Sequence, residues 1–212
     1  MKCAQHNKEN IKEAARILKS GGVIAHPADT CYGLAADFLN PESLKKIKAI
    51  KGREADKPMS IMFPIAMRDD LIKYAEISDF AYYVCEKLLP GPVTILLPKG
   101  PEVPDYYFPD SPYIGLRIPY DMQTQDLLSA FKGPLITTSA NESGKPPCAR
   151  CEEIIEVFQN KENKPDFAFD GEVSNACLPS TVILVEDKNI KILREGPMTK
   201  NQLEKILGIK IN

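Results

Sequence analysis

The chain has 212 residues, of which 43% are hydrophobic and 26% are charged, and its formal net charge is -2 at pH 7. This composition is typical of a folded globular protein, and it argues against a protein that mainly coats nucleic acid, which needs a strong basic excess. No run of about eighteen apolar residues occurs, and the polar N-terminus lacks the apolar stretch of a signal peptide. We therefore expect a cytoplasmic protein that does not associate with a membrane.

The first half of the chain alternates between helical and strand patterns. Asn40, Pro41 and Glu42 supply an N-cap, an N1 proline and a first-turn acid for a helix that ends at Lys51, with Gly52 as its C-cap. In chain order the patterns predict a helix at 10–19 with Ile11, Ala14, Ala15 and Leu18 on its buried face, a strand at 23–26, a loop at 27–37, the helix at 41–51, a strand at 59–63, helices at 66–76 and 78–89, and a strand at 90–100.

The second half continues the same alternation. Two apolar segments near the C-terminus, STVILVED and IKILRE, read as a hairpin, and TKNQLEKILG reads as a capped final helix. Before them the patterns predict a strand at 113–120, a helix at 121–131, a strand at 134–140 and a helix at 150–160. Interleaved strands and helices with short connections predict an α/β fold, and the hairpin predicts a mixed, largely antiparallel sheet. No linker divides the chain, so we expect one domain over residues 1–212.

The cysteines and histidines give little support for metal or redox chemistry. In a cytoplasmic protein we expect all six cysteines as reduced thiols, including the C-x-x-C pair Cys148 and Cys151. A zinc site would need a second ligand pair, and a redox pair would open a helix directly after a strand. Cys31 has no base beside it in the sequence and reads as a packed thiol. With only His6 and His26, a Ser-His-Asp triad is disfavoured.

Polar residues end several predicted strands, which is where α/β proteins usually build their sites. Arg117 is the most unusual, because it lies inside an apolar strand and a buried guanidinium needs an anion nearby. That anion is either an internal carboxylate or a ligand, and the sequence leaves both open. The other candidates at strand ends are Thr30, Tyr32, Ser139, Asn141, Ser180, Thr181 and Arg194.

A cationic connector, KGREADKP, follows the second helix and carries Lys51, Arg53 and Lys57. Such a segment is either a solvated loop or an anion-binding site. The segment TTSAN, residues 137–141, is either a turn with a helix cap or part of the same site. Neither GxxxxGK[ST] nor GxGxxG occurs, so bound phosphate would have to be held by side chains and irregular loops.

Seven of these segments together resemble the YrdC-like family, whose best-known members are threonylcarbamoyl-AMP synthases. They follow the family's order and span about residues 10–200, and the chain resembles the family's short bacterial form. The matching segments are PADTCYGLAAD, IKGREADKP, PGPVTILLPKG, IGLRIP, TTSANESGKPP, PSTVI and LREG.

The resemblance implies an enzyme that makes threonylcarbamoyl-AMP and pyrophosphate from L-threonine, bicarbonate and ATP. It also implies a mixed sheet with flanking helices and a concave, electropositive cavity. Mg²⁺ would arrive with the ATP phosphates, with no metal held by the protein alone and no permanently bound cofactor. The product would pass to partner proteins that modify the tRNA adenosine next to the anticodon.

The resemblance also implies roles for individual residues, by their match to the family's motifs. The four implied catalytic residues are Lys51, Arg53, Ser139 and Asn141. ATP would be bound by Arg53, Lys57, Ser139, Asn141, Ser180 and Arg194, and threonine by Thr30, Arg117 and Thr137.

Two positions depart from the family's pattern. Ala28 stands where the family often has threonine, and Glu54 stands where it often has proline. These departures leave two other hypotheses open. One is a paralogue that binds double-stranded RNA without full synthase activity, and the other is a carbamoyl-handling relative of the similar domain in hydrogenase-maturation proteins.

Overall fold

Ten strands form one mixed sheet in the computed structural model, which describes residues 3–52, 59–171, 173 and 177–211. The strand order is β1-β8-β2-β3-β7-β4-β6-β5-β9-β10. Five pairings are antiparallel and four are parallel, which confirms the mixed sheet. The strands are β1 (Cys3–Ala4), β2 (Val23–His26), β3 (Gly33–Asp37), β4 (Ser60–Met62), β5 (Val93–Pro98), β6 (Tyr113–Arg117), β7 (Leu135–Ser139), β8 (Phe167–Phe169), β9 (Thr181–Glu186) and β10 (Asn189–Arg194).

Helices cover both faces of this sheet, so the predicted α/β class is confirmed. They are α1 (Lys8–Lys19), α2 (Pro41–Lys51), α3 (Leu71–Tyr74), α4 (Asp79–Leu88), α5 (Met122–Phe131), α6 (Cys151–Phe158) and α7 (Lys200–Leu207), with a 3-10 helix at Ile65–Asp70. The predicted helix at 66–76 is therefore two short pieces. No helix in the described part of the chain is long and apolar enough to cross a membrane.

The capping residues predicted for α2 are in place. Asn40 accepts a hydrogen bond from the Glu42 backbone N–H at 3.0 Å, and Pro41 opens the helix. Gly52 ends it at φ 58°, in the left-handed region that favours glycine. These caps determine where α2 stops, and they place Lys51 in its last turn.

Strand β3 lies inside the segment predicted as a loop. Four of its five residues are buried, so the segment lacks the alternation of polar and apolar residues that identifies a strand in a sequence. Strands β1 and β8 were also not predicted, since they have two and three residues. Together with β2, these strands build one end of the sheet.

The two faces of the sheet are covered to different extents. One face packs against α2, α4 and α7 in the large core. The opposite face packs against α1 and α5, whose apolar residues contact Ile24, Ala35, Met62 and Leu135. Because this second cover is small, part of the sheet on the same side is left for a cavity.

The prediction of six reduced thiols was wrong. Cys3 and Cys151 form a disulfide, with their Cα atoms 6.1 Å apart. The reason is topological, because β1 pairs with β8 and α6 contacts β8 as well. Residues separated by 148 positions in the chain are thereby brought together. The described free cysteines are Cys31, Cys85, Cys148 and Cys177.

Candidate active site

A cavity of about 140 Å³ lies on the partly covered side of the sheet. Its lining comes from the loop at 27–32, the starts of β3 and β4, the ends of β6 and β7, the residues just before β9 and the end of β10. Six of the predicted site residues line it: Thr30, Arg117, Thr137, Ser139, Ser180 and Arg194. The structure thus brings together residues that are far apart in the sequence.

The sheet register explains why these side chains meet. Ser139 of β7 lies opposite Gly33 of β3, and Thr137 of β7 lies opposite Ser60 of β4. Ser139 and Thr137 are two residues apart and therefore point to the same face. Both neighbouring strands present a small residue there, Gly33 or Ser60, which leaves room above the sheet.

Lys51, Ser139 and Asn141 form a hydrogen-bonded cluster beside this cavity. The Lys51 Nζ donates to the Ser139 carbonyl oxygen at 2.6 Å and to Asn141 Oδ1 at 2.5 Å. The Ser139 hydroxyl donates to the same Oδ1 at 2.6 Å. The Lys51 side chain is buried, with 2% of the residue exposed. Three of the four residues predicted to be catalytic are therefore in contact, with the lysine held by the end of α2.

Arg117 forms a buried ion pair with Asp29, whose side chain is fully buried. Burial raises the pKa of the Asp29 carboxyl, and the Arg117 guanidinium opposes that rise. The Asp29 backbone N–H donates to Asp121 Oδ2 at 3.1 Å. These contacts hold the loop at 27–32 across the sheet. The first of the two alternatives for Arg117, an internal carboxylate, is thus observed, and the residue still lines the cavity.

Arg194 reaches the same cavity through neutral partners. Its Nε and Nη2 donate to the Ser180 carbonyl oxygen at 3.0 and 2.8 Å. The Ser180 hydroxyl is in turn hydrogen bonded to the Thr94 hydroxyl at 2.9 Å. Partial desolvation of the guanidinium lowers the pKa of Arg194, Cys31 opposes this change, and the positive charge of Arg117 acts in the same direction as the desolvation. Within residues 3–52, 59–171, 173 and 177–211, no carboxylate forms an ion pair with Arg194.

The thiols near the cavity are not activated. Cys31 lines the cavity, and burial raises its pKa although Arg117 and Thr30 oppose the change. Burial also raises the pKa of Cys148 to about 11. No group of three or more His, Cys, Asp or Glu side chains in the described part of the chain could hold a metal ion. The interpretation of Cys31 as a packed thiol therefore agrees with its surroundings.

Three positions of the predicted connector, Arg53, Glu54 and Lys57, lie outside the described residues. Ala28, the other departure from the family's pattern, lines the cavity. Sequence reasoning missed Asp29 and Ser60. Asp29 is the acid of the PADT segment, and it could have been considered as a partner because Arg117 needed an anion. Nothing in the strand MSIMF distinguished Ser60.

Comparison with known proteins agrees with this geometry. Residues 16–196 match the family model of the Sua5, YciO and YrdC proteins, which carries the description telomere recombination. A Methanocaldococcus jannaschii protein named putative threonylcarbamoyl-AMP synthase is 37% identical over 201 residues, which cover 92% of each chain.

Solved structures show the same fold. The crystal structure of Pyrococcus abyssi Sua5 complexed with L-threonine superimposes with a TM-score of 0.87 at 30% identity, over 97% of this chain. This chain spans only 60% of the length of the P. abyssi chain. The crystal structure of Escherichia coli YciO gives a TM-score of 0.79 at 25% identity and covers 90% of this chain and 91% of that one.

Proposed function

The chain belongs to the Sua5, YciO and YrdC family, and we propose that it is a threonylcarbamoyl-AMP synthase. The reaction would use L-threonine, bicarbonate and ATP and would give threonylcarbamoyl-AMP, pyrophosphate and water. One observation carries the proposal: cations and hydroxyl groups from α2, β6, β7 and β10 meet at one cavity. The name of the M. jannaschii relative and the threonine bound to P. abyssi Sua5 support this choice of substrate.

The chemistry has two bond-forming steps. The amine of threonine attacks the carbon of bicarbonate, and loss of a proton and hydroxide as water leaves a carbamate. A carbamate oxygen then attacks the α-phosphorus of ATP, and pyrophosphate departs with the electrons of the broken P–O bond. Negative charge grows on the phosphoryl oxygens and the leaving group, so fixed cations and hydrogen-bond donors stabilise the transition state.

The cluster of Lys51, Ser139 and Asn141 is suited to this second step. Its hydrogen bonds fix the ammonium and hydroxyl groups before any substrate arrives. Preorganised groups of this kind lower the barrier because they need no reorganisation during the reaction. No described side chain beside the cluster is placed as an activated nucleophile, so positioning and electrostatics supply the catalysis.

Arg194 and Ser180 would bind the nucleotide on the opposite wall of the cavity. The guanidinium is held on neutral oxygens, so its positive charge is available to phosphate. The volume of about 140 Å³ is smaller than the ~300–1,000 Å³ of typical ligand pockets. We therefore expect phosphates and amino acid to occupy the cavity while the nucleoside extends beyond it. Arg53 and Lys57, which lie outside the described residues, stay predicted ATP ligands.

Threonine would lie between the loop at 27–32 and the sheet, near Thr30, Arg117 and Thr137. Arg117 is the natural partner for the threonine carboxylate, with its charge shared between ligand and Asp29. Mg²⁺ would enter on the ATP phosphates. The lining fits that arrangement, because its neutral hydroxyl oxygens complement a metal already carried by phosphate. The product would pass to the partner proteins of tRNA adenosine modification.

The test is pyrophosphate release in the presence of ATP and Mg²⁺, with and without threonine and bicarbonate. We expect release that needs both and that ends when either is omitted. The similarity to E. coli YciO makes the RNA-binding paralogue the alternative worth measuring beside it. The alternative predicts binding of double-stranded RNA that is weakened by salt and unaffected by ATP. That result, without threonine-dependent release of pyrophosphate, would favour the RNA-binding paralogue over the synthase.

A further inference from the structure

Thr94 is a buried residue of β5 whose hydroxyl group none of the steps above uses. Only 3% of the residue is exposed, and it does not line the cavity. Its Oγ1 lies 2.9 Å from Ser180 Oγ, and either atom could be the donor of this hydrogen bond. Within the described part of the chain, Ser180 is the hydrogen-bond partner of the Thr94 side chain. The direction of this one hydrogen bond determines what Ser180 can offer to a ligand.

Packing holds the Thr94 hydroxyl towards Ser180. A Cβ atom added to Gly115 of the neighbouring strand β6 would lie 3.1 Å from Thr94 Cγ2. The methyl group of Thr94 therefore fills the space that Gly115 leaves. Because β-branched side chains have few favourable χ1 rotamers, the position of the methyl group also fixes the position of the hydroxyl.

The number of donors and acceptors determines which hydroxyl donates. A hydroxyl group has one proton to donate and two lone pairs that can accept. If Ser180 donated to Thr94, the proton of the buried Thr94 hydroxyl would have no acceptor within the described residues, which is unfavourable. Thr94 therefore donates, and Ser180 Oγ accepts.

Arg194 supplies a second donor to the same oxygen. Its Nη2 lies 2.8 Å from the Ser180 carbonyl oxygen and 3.3 Å from Ser180 Oγ, so the two oxygens share this nitrogen. With Thr94 and Arg194 both donating, the two lone pairs of Ser180 Oγ are used, and its own proton has no acceptor in the described part of the chain. Ser180 lines the cavity, so this proton can be donated to a ligand there.

The surroundings of the Ser180 proton favour an anionic acceptor. Arg194 and Arg117 both line the cavity, and the described hydrogen-bond partners of Arg194 are neutral oxygens. A hydrogen bond from a guanidinium polarises the hydroxyl that accepts it and makes that hydroxyl a better donor. The strongest hydrogen bonds form when donor or acceptor is ionised, so a phosphate oxygen suits this position.

We propose that Thr94 is a positioning residue of the nucleotide site, which holds Ser180 as a hydrogen-bond donor to a phosphate oxygen of ATP. The inference rests on the proposed function and deepens it, because it names the residue that directs Ser180 towards the nucleotide. Without the Thr94 hydroxyl, the Ser180 hydroxyl is free to rotate and loses its preference for donating into the cavity.

Isothermal titration calorimetry with ATP and Mg²⁺ tests the proposal. Thr94→Ala removes the hydroxyl, and we expect the Kd for ATP to rise about threefold to tenfold, the size of one hydrogen bond. Thr94→Ser keeps a hydroxyl, so it should keep most of the wild-type affinity although it loses the methyl group beside Gly115. Thr94→Val keeps the shape of the side chain without the hydroxyl, and it provides the same test if Thr94→Ala folds poorly.

A double-mutant cycle with Ser180→Ala separates positioning from a general structural role. Thr94 acts through the Ser180 hydroxyl, so Thr94→Ala should have little further effect on the Kd once Ser180→Ala has removed that hydroxyl. A purely structural effect of Thr94 would persist in the Ser180→Ala protein. Thermal unfolding followed by circular dichroism shows that each variant is folded at the temperature of the titration.

The outcomes distinguish this inference from the proposed function. An unchanged Kd in Thr94→Ala and Thr94→Val, or the same loss of affinity with and without the Ser180 hydroxyl, overturns the inference. The proposed function fails separately if the wild-type protein and these variants bind ATP as expected but release no pyrophosphate in response to threonine and bicarbonate.

Discussion

Arg117 and Arg194 line the same cavity but are held in opposite ways. Arg117 forms a buried ion pair with Asp29, whereas the described contacts of Arg194 are the backbone and side-chain oxygens of Ser180. The carboxylate offsets much of the charge of Arg117 and ties down the loop at 27–32. The charge of Arg194 is not offset in that way.

The difference predicts that the two arginines contribute unequally to the stability of the site and to ligand binding. A buried arginine that is paired within the protein mainly maintains the shape of the site, because breaking such a pair leaves an uncompensated charge. An arginine anchored on neutral oxygens keeps its charge for an anionic ligand. Substitutions of Arg117 and Arg194 break the two sides of this comparison, and substitution of Lys51 adds a third cation, from the cluster beside the cavity.

The largest expected effect is the loss of stability caused by Arg117→Ala. The substitution leaves the Asp29 carboxylate buried without its partner, and we expect a loss of about 3–5 kcal/mol in the free energy of unfolding. Urea unfolding measures it. The double substitution Arg117→Leu with Asp29→Leu removes both charges and should recover much of the loss. An Arg117→Ala protein as stable as the wild type would show that the ion pair does not hold the loop.

Lys51→Ala should reduce catalysis next most strongly. It removes the donor that the Ser139 carbonyl and Asn141 Oδ1 share, so we expect kcat to fall by about 10²–10³. Because Lys51 is buried, a loss of about 1–3 kcal/mol in stability should accompany it, and kcat is measured well below the melting temperature. Lys45→Ala, an exposed change in the same helix, is the control. Equal kcat in both variants would show that Lys51 does not contribute to catalysis.

The smallest effect is expected for Arg194→Ala. Loss of the guanidinium should raise KM for ATP by about tenfold, the size of one charge-assisted contact, with little change in the unfolding midpoint. A raised KM for ATP with unchanged stability would be the reverse of the result expected for Arg117→Ala, and it would support the difference between the two arginines. If Arg194→Ala unfolds as easily as Arg117→Ala and binds ATP normally, the two arginines do not differ as described.

Local sequence signals predicted the position of Lys51 well. The caps Asn40 and Gly52 act within a few residues, so the end of α2 follows from neighbouring side chains. The ends of β7 and β10 were likewise visible as polar residues after apolar runs. That these two ends meet at one cavity could not be read from them, because β7 and β10 are not adjacent in the sheet. The family resemblance, and not the local pattern, supplied that part of the prediction.

Contacts between distant segments were beyond the sequence. Asp29 and Arg117 are 88 positions apart, and Cys3 and Cys151 are 148 apart. Arg117 indicated that an anion was needed, but the local sequence does not say which acid supplies it or which two cysteines pair, because such pairs depend on which strands are neighbours.

The most direct test of the synthase proposal follows the carbon of bicarbonate. The protein is incubated with ATP, Mg²⁺, L-threonine and bicarbonate labelled with carbon-13, and the adenylates are analysed by mass spectrometry. We predict threonylcarbamoyl-AMP that carries the label, formed together with pyrophosphate. Adenylates that never contain the label, with threonine and bicarbonate both present and the protein folded, would contradict a threonylcarbamoyl-AMP synthase.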